Sequence, residues 1–418
     1  MSMPATVDHD TPSTVQDLDA AIFDGSARLE QIRAFARYRS VSPVGLLVSI
    51  LVRVSCALPP AIQVDAGQGP GSLNLFAAII GPPASGKSKV MNTADQALTI
   101  TGGLDYPTLT PGSGEGIITA YTRGGPDNEP VPSVLWQEEE VTNLGALADR
   151  KGATLKGFLT KMYDAGALSV TNKNESYAAP GGSYRAGFLL GVQPGRADIL
   201  LRDEHQGFPQ RFIWARTTDP GRQRNTDYPE VRPIPLKIPT IPGGIIDAGP
   251  EARETLRRAA DQRLIDGADD GLDGHRSFTQ IKVAALLAVL LEHSSVTDDD
   301  WDRATRLMRS SDRARALCTQ HRDRQREKQR VAKLADEEAV ARQLRGDIRS
   351  KILRQLEKNF RGQWVNSGKL RARMPGEKWR GDEYTAVIED LIDQGVIEKR
   401  VNPQKSEHEQ YQLSRRAT

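Results

Sequence analysis

Leu75-Phe76-Ala77-Ala78-Ile79-Ile80-Gly81-Pro82-Pro83-Ala84-Ser85-Gly86-Lys87-Ser88 decides how this chain reads. The apolar run Leu75–Ile80 suits a buried strand. It leads straight into G-x-x-x-x-G-K-[ST], and Lys89 to Leu98 then reads as a helix. Strand, glycine loop and helix are the context in which this motif cradles phosphate. Gly81 and Gly86 let the backbone wrap so that its N–H groups face phosphate oxygens. The helix start adds the positive end of its dipole. Pro82, Pro83, Ala84, Ser85 and Lys89 complete the expected cradle. Lys87 is expected against the β- and γ-phosphates and Ser88 on a metal ion, so ATP and Mg²⁺ are the expected cofactors.

Such a site also needs carboxylates at the end of a neighbouring strand. Ser133-Val134-Leu135-Trp136-Gln137-Glu138-Glu139-Glu140 has that form. One Glu would hold Mg²⁺ and the next would polarise the attacking water. Two registers fit. Glu138 with Glu139 follows a count of four strand residues, and makes Ser88, Glu138 and Glu139 the metal ligands. Glu139 with Glu140 better suits the apolar helix that starts at Val141. A solvated acidic helix start is the plainer alternative.

A third strand, Ala186 to Val192, ends at Gln193, where a polar side chain can sense the γ-phosphate. After the helix Ala197–His205, Gly207-Phe208-Pro209-Gln210-Arg211-Phe212 offers Arg211 as an arginine finger for a neighbouring subunit. A surface ion pair is the alternative, with Arg196, Arg202 and Arg185 as further candidates. Between these segments, Ala167–Thr171 reads as a strand followed by the polar loop Asn172–Tyr177. Lys173 and Tyr177 suit a loop that touches a nucleic-acid backbone in a ring's pore. A plain surface hairpin fits as well.

The 418 residues allow two to four domains at roughly 100–200 residues each. With 56 Lys and Arg against 54 Asp and Glu, a uniformly basic chain is excluded, but local basic patches are not. Cys56 and Cys318 are too few for a disulfide framework or a Cys-based zinc site, and suit a reducing, cytoplasmic setting. No apolar run approaches ~20 residues, so no membrane partner is expected. Residues 1–16 read as a disordered lead-in, 17–60 as a helical cap and 61–218 as the strand–helix core. Prolines mark 219–250 as an extended connector. Residues 251–345 read as a helical lid with a long charged helix, whose stretch Arg322–Arg330 suits a solvated helix or linker as well as a DNA contact.

Residues 346–418 regain a compact pattern. One helix holds Ile348, Ile352 and Leu356, a short one begins near Asn366, and a third spans Asp382–Gln394 and stops at Gly395. Two strands follow around a polar loop, which makes a winged helix-turn-helix. This segment holds 15 Lys or Arg against 11 Asp or Glu. Lys369, Arg371, Arg373, Lys378 and Arg380 cluster around the second helix, and Lys399, Arg400 and Lys405 lie on the proposed wing. Such cations neutralise phosphates. Asp382 and Glu383 at the start of the third helix would repel them, so the leading edge and the wing are the expected duplex contacts. A winged helix used for protein contacts is the alternative.

Leu73-Asn74-Leu75, Gln137-Glu138-Glu139-Glu140, Gly187-Phe188-Leu189-Leu190-Gly191-Val192-Gln193-Pro194 and Gly207-Phe208-Pro209-Gln210-Arg211-Phe212 together carry a resemblance. The chain resembles the P-loop ATPases of prophages and genetic satellites that are often fused to primase domains and act as replicative helicases. The resemblance covers about residues 26–320, with His275–Cys318 similar to the family's lid. Walker B here is all Glu instead of Asp-Glu. No primase segment fits the short N-terminus, so priming is not expected.

The expected fold is α/β: a P-loop NTPase with a RecA/AAA+-like parallel sheet, a helical N-terminal cap, a helical lid and a C-terminal winged helix. The expected function is a DNA translocase or helicase that hydrolyses ATP and forms a ring, with a hexamer implied. Single-stranded DNA would pass through the pore and duplex would bind the winged helix. Replication of a mobile element is implied by the resemblance alone. An origin-binding initiator or helicase loader, and a DNA-binding regulator that uses ATP only for assembly, are the rival readings.

Overall fold

The computed structural model describes residues 15–124, 129–148, 155–171, 176–201, 208–266, 274–379 and 381–414. The chain divides into two compact units, at Asp323/Arg324. The first unit opens with helices α1 (Val15–Phe23), α2 (Ala27–Tyr38) and α3 (Pro43–Ala57). It continues through β1 (Gln63–Asp65), β2 (Pro70–Ser72), β3 (Leu75–Ile80), α4 (Lys87–Ala97), β4 (Leu98–Thr101), β5 (Thr108–Leu109), α5 (Gly114–Thr122) and β6 (Ser133–Glu138). Then follow α6 (Val141–Ala148), α7 (Leu155–Tyr163), β7 (Leu168–Thr171), β8 (Ser176–Ala179), β9 (Arg185–Val192), α8 (Asp198–Leu201) and β10 (Phe212–Arg216). After these come β11 (Ile234–Lys237), β12 (Ile245–Asp247), α9 (Gly249–Asp266), α10 (Gly274–Leu290) and α11 (Asp298–Asn359).

Five of these strands form one all-parallel sheet in the order β10-β3-β9-β6-β5. Each connection between parallel strands must cross over a face, so helices cover both sides. Every residue of β3 and β9 is buried, which is why Leu75–Ile80 and Ala186–Val192 read as unbroken apolar runs. Along β3, Leu75, Ala77 and Ile79 join the core beneath α3 and α4. Phe76, Ala78 and Ile80 join the core on the other face, where the Phe76 ring lies 5.4 Å from Phe188 and 5.5 Å from Phe212.

The helical-cap reading of 17–60 needs correction. All of α3 is buried, and it packs across β3, β6, β9 and β10 as a core helix. Its polar residues find partners: Ser49 donates to the Gly45 carbonyl, Ser55 to the Leu73 carbonyl, and Arg53 reaches the largely exposed Asp95. A helix apolar nearly all round belongs in a core. Gly187 permits the close approach, since a Cβ there would lie 2.5 Å from Cys56 Sγ.

The segment 219–250 is also more than a connector. Here β11 pairs in parallel with β4, and β12 with β1, which ties the segment back to the first unit. Pro235 sits on an exposed position of a two-stranded ladder, where a missing N–H is tolerated. The boundary expected at 345/346 falls inside α11, because Gly346 continues the helix at a local cost of about 1 kcal/mol.

The second unit contains the C-terminal part of α11, then β13 (Val365–Asn366), α12 (Ser367–Arg371), α13 (Asp382–Asp393), β14 (Ile397–Asn402) and β15 (Lys405–Leu413). The strands form an antiparallel sheet in the order β13-β15-β14. Ile348, Ile352, Leu356, Leu370, Val387 and Leu391 form its core. Gly395 ends α13 at φ +68°, as its position in the sequence suggests. Among the described residues, no single helix is long and apolar enough to cross a membrane.

Candidate functional site

The loop after β3 occupies the C-terminal edge of the parallel sheet. The Gly81 N–H donates to the Val192 carbonyl at 3.1 Å, which ties the loop's first residue to the end of β9. A Cβ on Gly81 would lie 2.1 Å from Ser85 Oγ and 2.4 Å from Thr217 Oγ1, so a side chain there would displace both hydroxyls. Ala84 and Gly86 both adopt positive φ, at +58° and +86°, and turn the chain into α4. Lys87 folds back over the loop, and its Nζ donates to the carbonyls of Gly81 (3.2 Å) and Pro82 (3.0 Å). Burial holds its ammonium below the ordinary lysine range, and the charge of Glu140 opposes that shift. Among the described residues, the buried Ser85 hydroxyl has no hydrogen-bond partner.

Pro83 to Lys89 line a cleft of about 350 Å³, and Glu139, Glu140 and Gln193 form its other wall. Three strand ends therefore meet at one opening. Ser88, Glu139 and Glu140 supply hard oxygen donors to it. Mg²⁺ is commonly held by one or two such groups together with phosphate oxygens, and this donor set fits it. Among the described residues, no group of three His, Cys, Asp or Glu side chains could hold a metal ion alone.

Glu138 does not line this cleft. It is 5% exposed, on the strand face shared with Val134 and Trp136. Its Oε1 accepts from the Glu140 N–H (3.1 Å) and from Asn143 Nδ2 (3.0 Å), which secures the start of α6. Of the two registers the sequence offers, Glu139 with Glu140 is the one that lines the cleft. Strand alternation sends Glu138 to the α6 side, and the chain turns immediately after it. Gly191 permits that turn, since a Cβ there would lie 2.0 Å from the Glu139 carbonyl oxygen.

Arg211 lies in the interior, not on an exposed turn. It is 5% exposed and pairs with Asp164 at 3.6 Å, with its guanidinium 5.9 Å from the Tyr163 ring centre. It precedes β10 at the N-terminal edge of the sheet, six residues from Thr217, or about 20 Å along a strand. Arg185 is likewise interior, and it donates to the carbonyls of Leu58, Pro59 and Ile62. Arg196 is exposed on the turn that follows Gln193. Arg202 lies outside the described residues.

The proposed nucleic-acid contacts are dispersed. Lys173 and Arg380 lie outside the described residues, as does the side chain of Lys378. Tyr177 stands on the antiparallel β7–β8 hairpin, with the Arg123 guanidinium 4.5 Å from its ring centre. Lys369 and Arg373 reach toward the Phe360 ring, and Arg371 toward Tyr384. On β14, Lys399 pairs with Glu409 at 2.6 Å, and Arg400 lies 4.3 Å over the Trp364 ring. Lys405 is exposed at the start of β15.

The sequence reading missed the groups beyond the other side of the loop. Asp19 accepts from Arg216 at 2.9 Å and from Ser310 at 2.7 Å, and burial raises its carboxyl above the usual range. Arg37 pairs with Asp219 at 2.9 Å. These partners lie 182 to 291 residues apart, so no local pattern could announce them. No protein-family model and no curated protein sequence matches this chain.

Proposed function

We propose that this chain is a P-loop NTPase with a RecA/AAA+-like core, and that it hydrolyses ATP. One observation carries the reading: the Gly81–Ser88 loop shares a cleft with Glu139, Glu140 and Gln193 at the C-terminal edge of a parallel sheet. Open α/β sheets bind their ligands at this edge. Loop N–H groups and Lys87 would hold the phosphates. Bound Mg²⁺, held by Ser88 and one glutamate, would neutralise charge on the phosphate oxygens. The second glutamate would orient the attacking water, and Gln193 would contact the γ-phosphate.

The larger function is a DNA-acting motor, a ring-forming translocase or helicase. Its support is the resemblance, together with the helices and hairpin of the second unit, which suit a winged helix. Exposed Lys369, Arg371, Arg373, Arg400 and Lys405 would meet phosphate there. With Arg211 interior, Arg196 becomes the candidate finger. That same burial of Arg211 favours a second reading, an ATP-dependent switch or assembly protein that does not unwind DNA.

The test is ATP hydrolysis by the purified chain, without DNA and with single-stranded or duplex DNA, at two salt concentrations. Salt-sensitive stimulation supports the motor. Hydrolysis indifferent to DNA supports the switch. Absence of both ATP binding and hydrolysis sinks the NTPase reading.

A further inference from the structure

In the second unit, the helix that a winged fold offers to a major groove is acidic. Helix α13 holds Asp382, Glu383, Glu389, Asp390 and Asp393 and no Lys or Arg. Arg345 and Arg349 of α11 pair with Glu383 and Asp390, so these two cations are already engaged. The remaining acidic surface of α13 repels phosphate. The cations lie elsewhere: residues 361–380, which include β13 and α12, hold six Lys or Arg against one Glu.

The sheet beside those cations has two unlike faces. Val365, Ile397 and Tyr411 turn inward to the core, so strand alternation turns Asn366, Arg400, Gln410 and Gln412 outward. Trp364 joins this outer face, with the Arg400 guanidinium 4.3 Å from its ring centre. Arg400 Nε donates to Gln410 Oε1 at 2.9 Å, and Gln410 Nε2 donates to Asn366 Oδ1 at 2.9 Å. The guanidinium is thus fixed by a ring and an amide. It is exposed, and among the described residues it forms no ion pair. Glu398 shares the outer side of β14 and balances its charge, so this face is no track for phosphates. A guanidinium on a tryptophan, with amides beside it, suits a flat uncharged ring that has hydrogen-bonding edges. Single strands present such rings, whereas a duplex keeps them stacked inside.

We infer that the outer face of the β13-β15-β14 sheet takes an unstacked base of a single-stranded nucleic acid. The base stacks on the open side of the Arg400 guanidinium, Gln410 and Gln412 meet its edge, and the cations of 361–380 neutralise the adjoining phosphates. The inference rests on the nucleic-acid reading of the second unit and is independent of the ATPase reading.

Fluorescence anisotropy on the full chain without ATP tests it. The probes are labelled oligo(dT), an abasic oligonucleotide of equal length and a duplex, and circular dichroism confirms that each variant folds. The wild type is expected to bind oligo(dT) about fivefold or more tightly than the abasic strand. Arg400→Lys keeps the charge and loses the plane. It is expected to lose about fivefold or more in oligo(dT) affinity and nothing on the abasic strand. Trp364→Leu is expected to do the same. Wild-type affinity for oligo(dT) in folded Arg400→Lys overturns the inference, as does equal binding of oligo(dT) and the abasic strand by the wild type. Duplex binding that exceeds oligo(dT) binding and ignores Arg400→Lys overturns it too, but leaves the nucleic-acid reading standing. Failure of the wild type to bind any probe overturns both. If Trp364→Leu fails to fold, Arg400→Lys decides.

Discussion

The Nζ of Lys87 donates to the carbonyl oxygen of Gly81 at 3.2 Å, so the lysine closes over the loop that begins the motif. The same ammonium is thereby held at the cleft shared with Glu139, Glu140 and Gln193. Lys87→Ala should leave the fold intact and abolish ATP hydrolysis, with a loss of at least about 100-fold. Normal turnover in a folded Lys87→Ala chain would exclude this cleft as the hydrolytic site.

The glutamates should separate by role. Glu140→Gln and Glu139→Gln should each cut turnover by about 100-fold while ATP still binds. Glu138→Ala should instead destabilise the chain by about 1–3 kcal/mol, because it removes the acceptor for Asn143 and the Glu140 N–H. Denaturant titration and single-turnover hydrolysis, run on all three, distinguish these outcomes. A Glu138 variant of unchanged stability but no turnover would restore the earlier register.

Gly191 offers a check from the backbone. An added methyl there would collide with the Glu139 carbonyl oxygen and displace the acidic turn. Gly191→Ala should reduce hydrolysis more than ATP binding. Equal losses in both would point to general unfolding of the edge.

Arg211→Ala should lower stability by about 1–3 kcal/mol and leave turnover per folded chain near wild type, since Arg211 is packed against Asp164 and Tyr163. Arg196→Ala is the variant expected to impair hydrolysis in an oligomer. A folded Arg211→Ala chain that binds ATP but does not hydrolyse it would reinstate Arg211 as the finger.

Lys282 carries a pH signature. It is fully buried, and its Nζ donates to the carbonyls of Asn74 (3.0 Å) and Tyr163 (2.7 Å). Burial holds its ammonium well below the ordinary value of 10.5. Between the lowered value and 10.5, the unfolded chain binds more protons at this site than the folded chain does. Stability therefore rises with pH across that window. Relative to Lys282→Met, the wild type should gain stability from about pH 7 to pH 9, as read by urea unfolding at each pH. Parallel curves would remove Lys282 as the source.

What the sequence determined by itself was local. The apolar run Leu75–Ile80, the glycine loop and the helix behind it are contiguous, and each depends on period, φ and capping within a few residues. The acidic end of β6 and the polar end of β9 were legible for the same reason. So were the helices and hairpin after Gly346, whose apolar spacing is regular.

Tertiary structure decided the rest. Whether α3 lay over the core or within it depended on partners for Ser55 and Arg53, 18 and 42 residues away. Which glutamates reach the cleft depended on the turn after Glu138 and on the space at Gly191. Arg211 reads as exposed because arginines usually are, whereas the folded chain buries it beside Asp164 and Tyr163. The contact of Arg400 with Trp364 has no motif at all. Its residues belong to β14 and the approach to β13, and only the pairing of both strands with β15 brings them together.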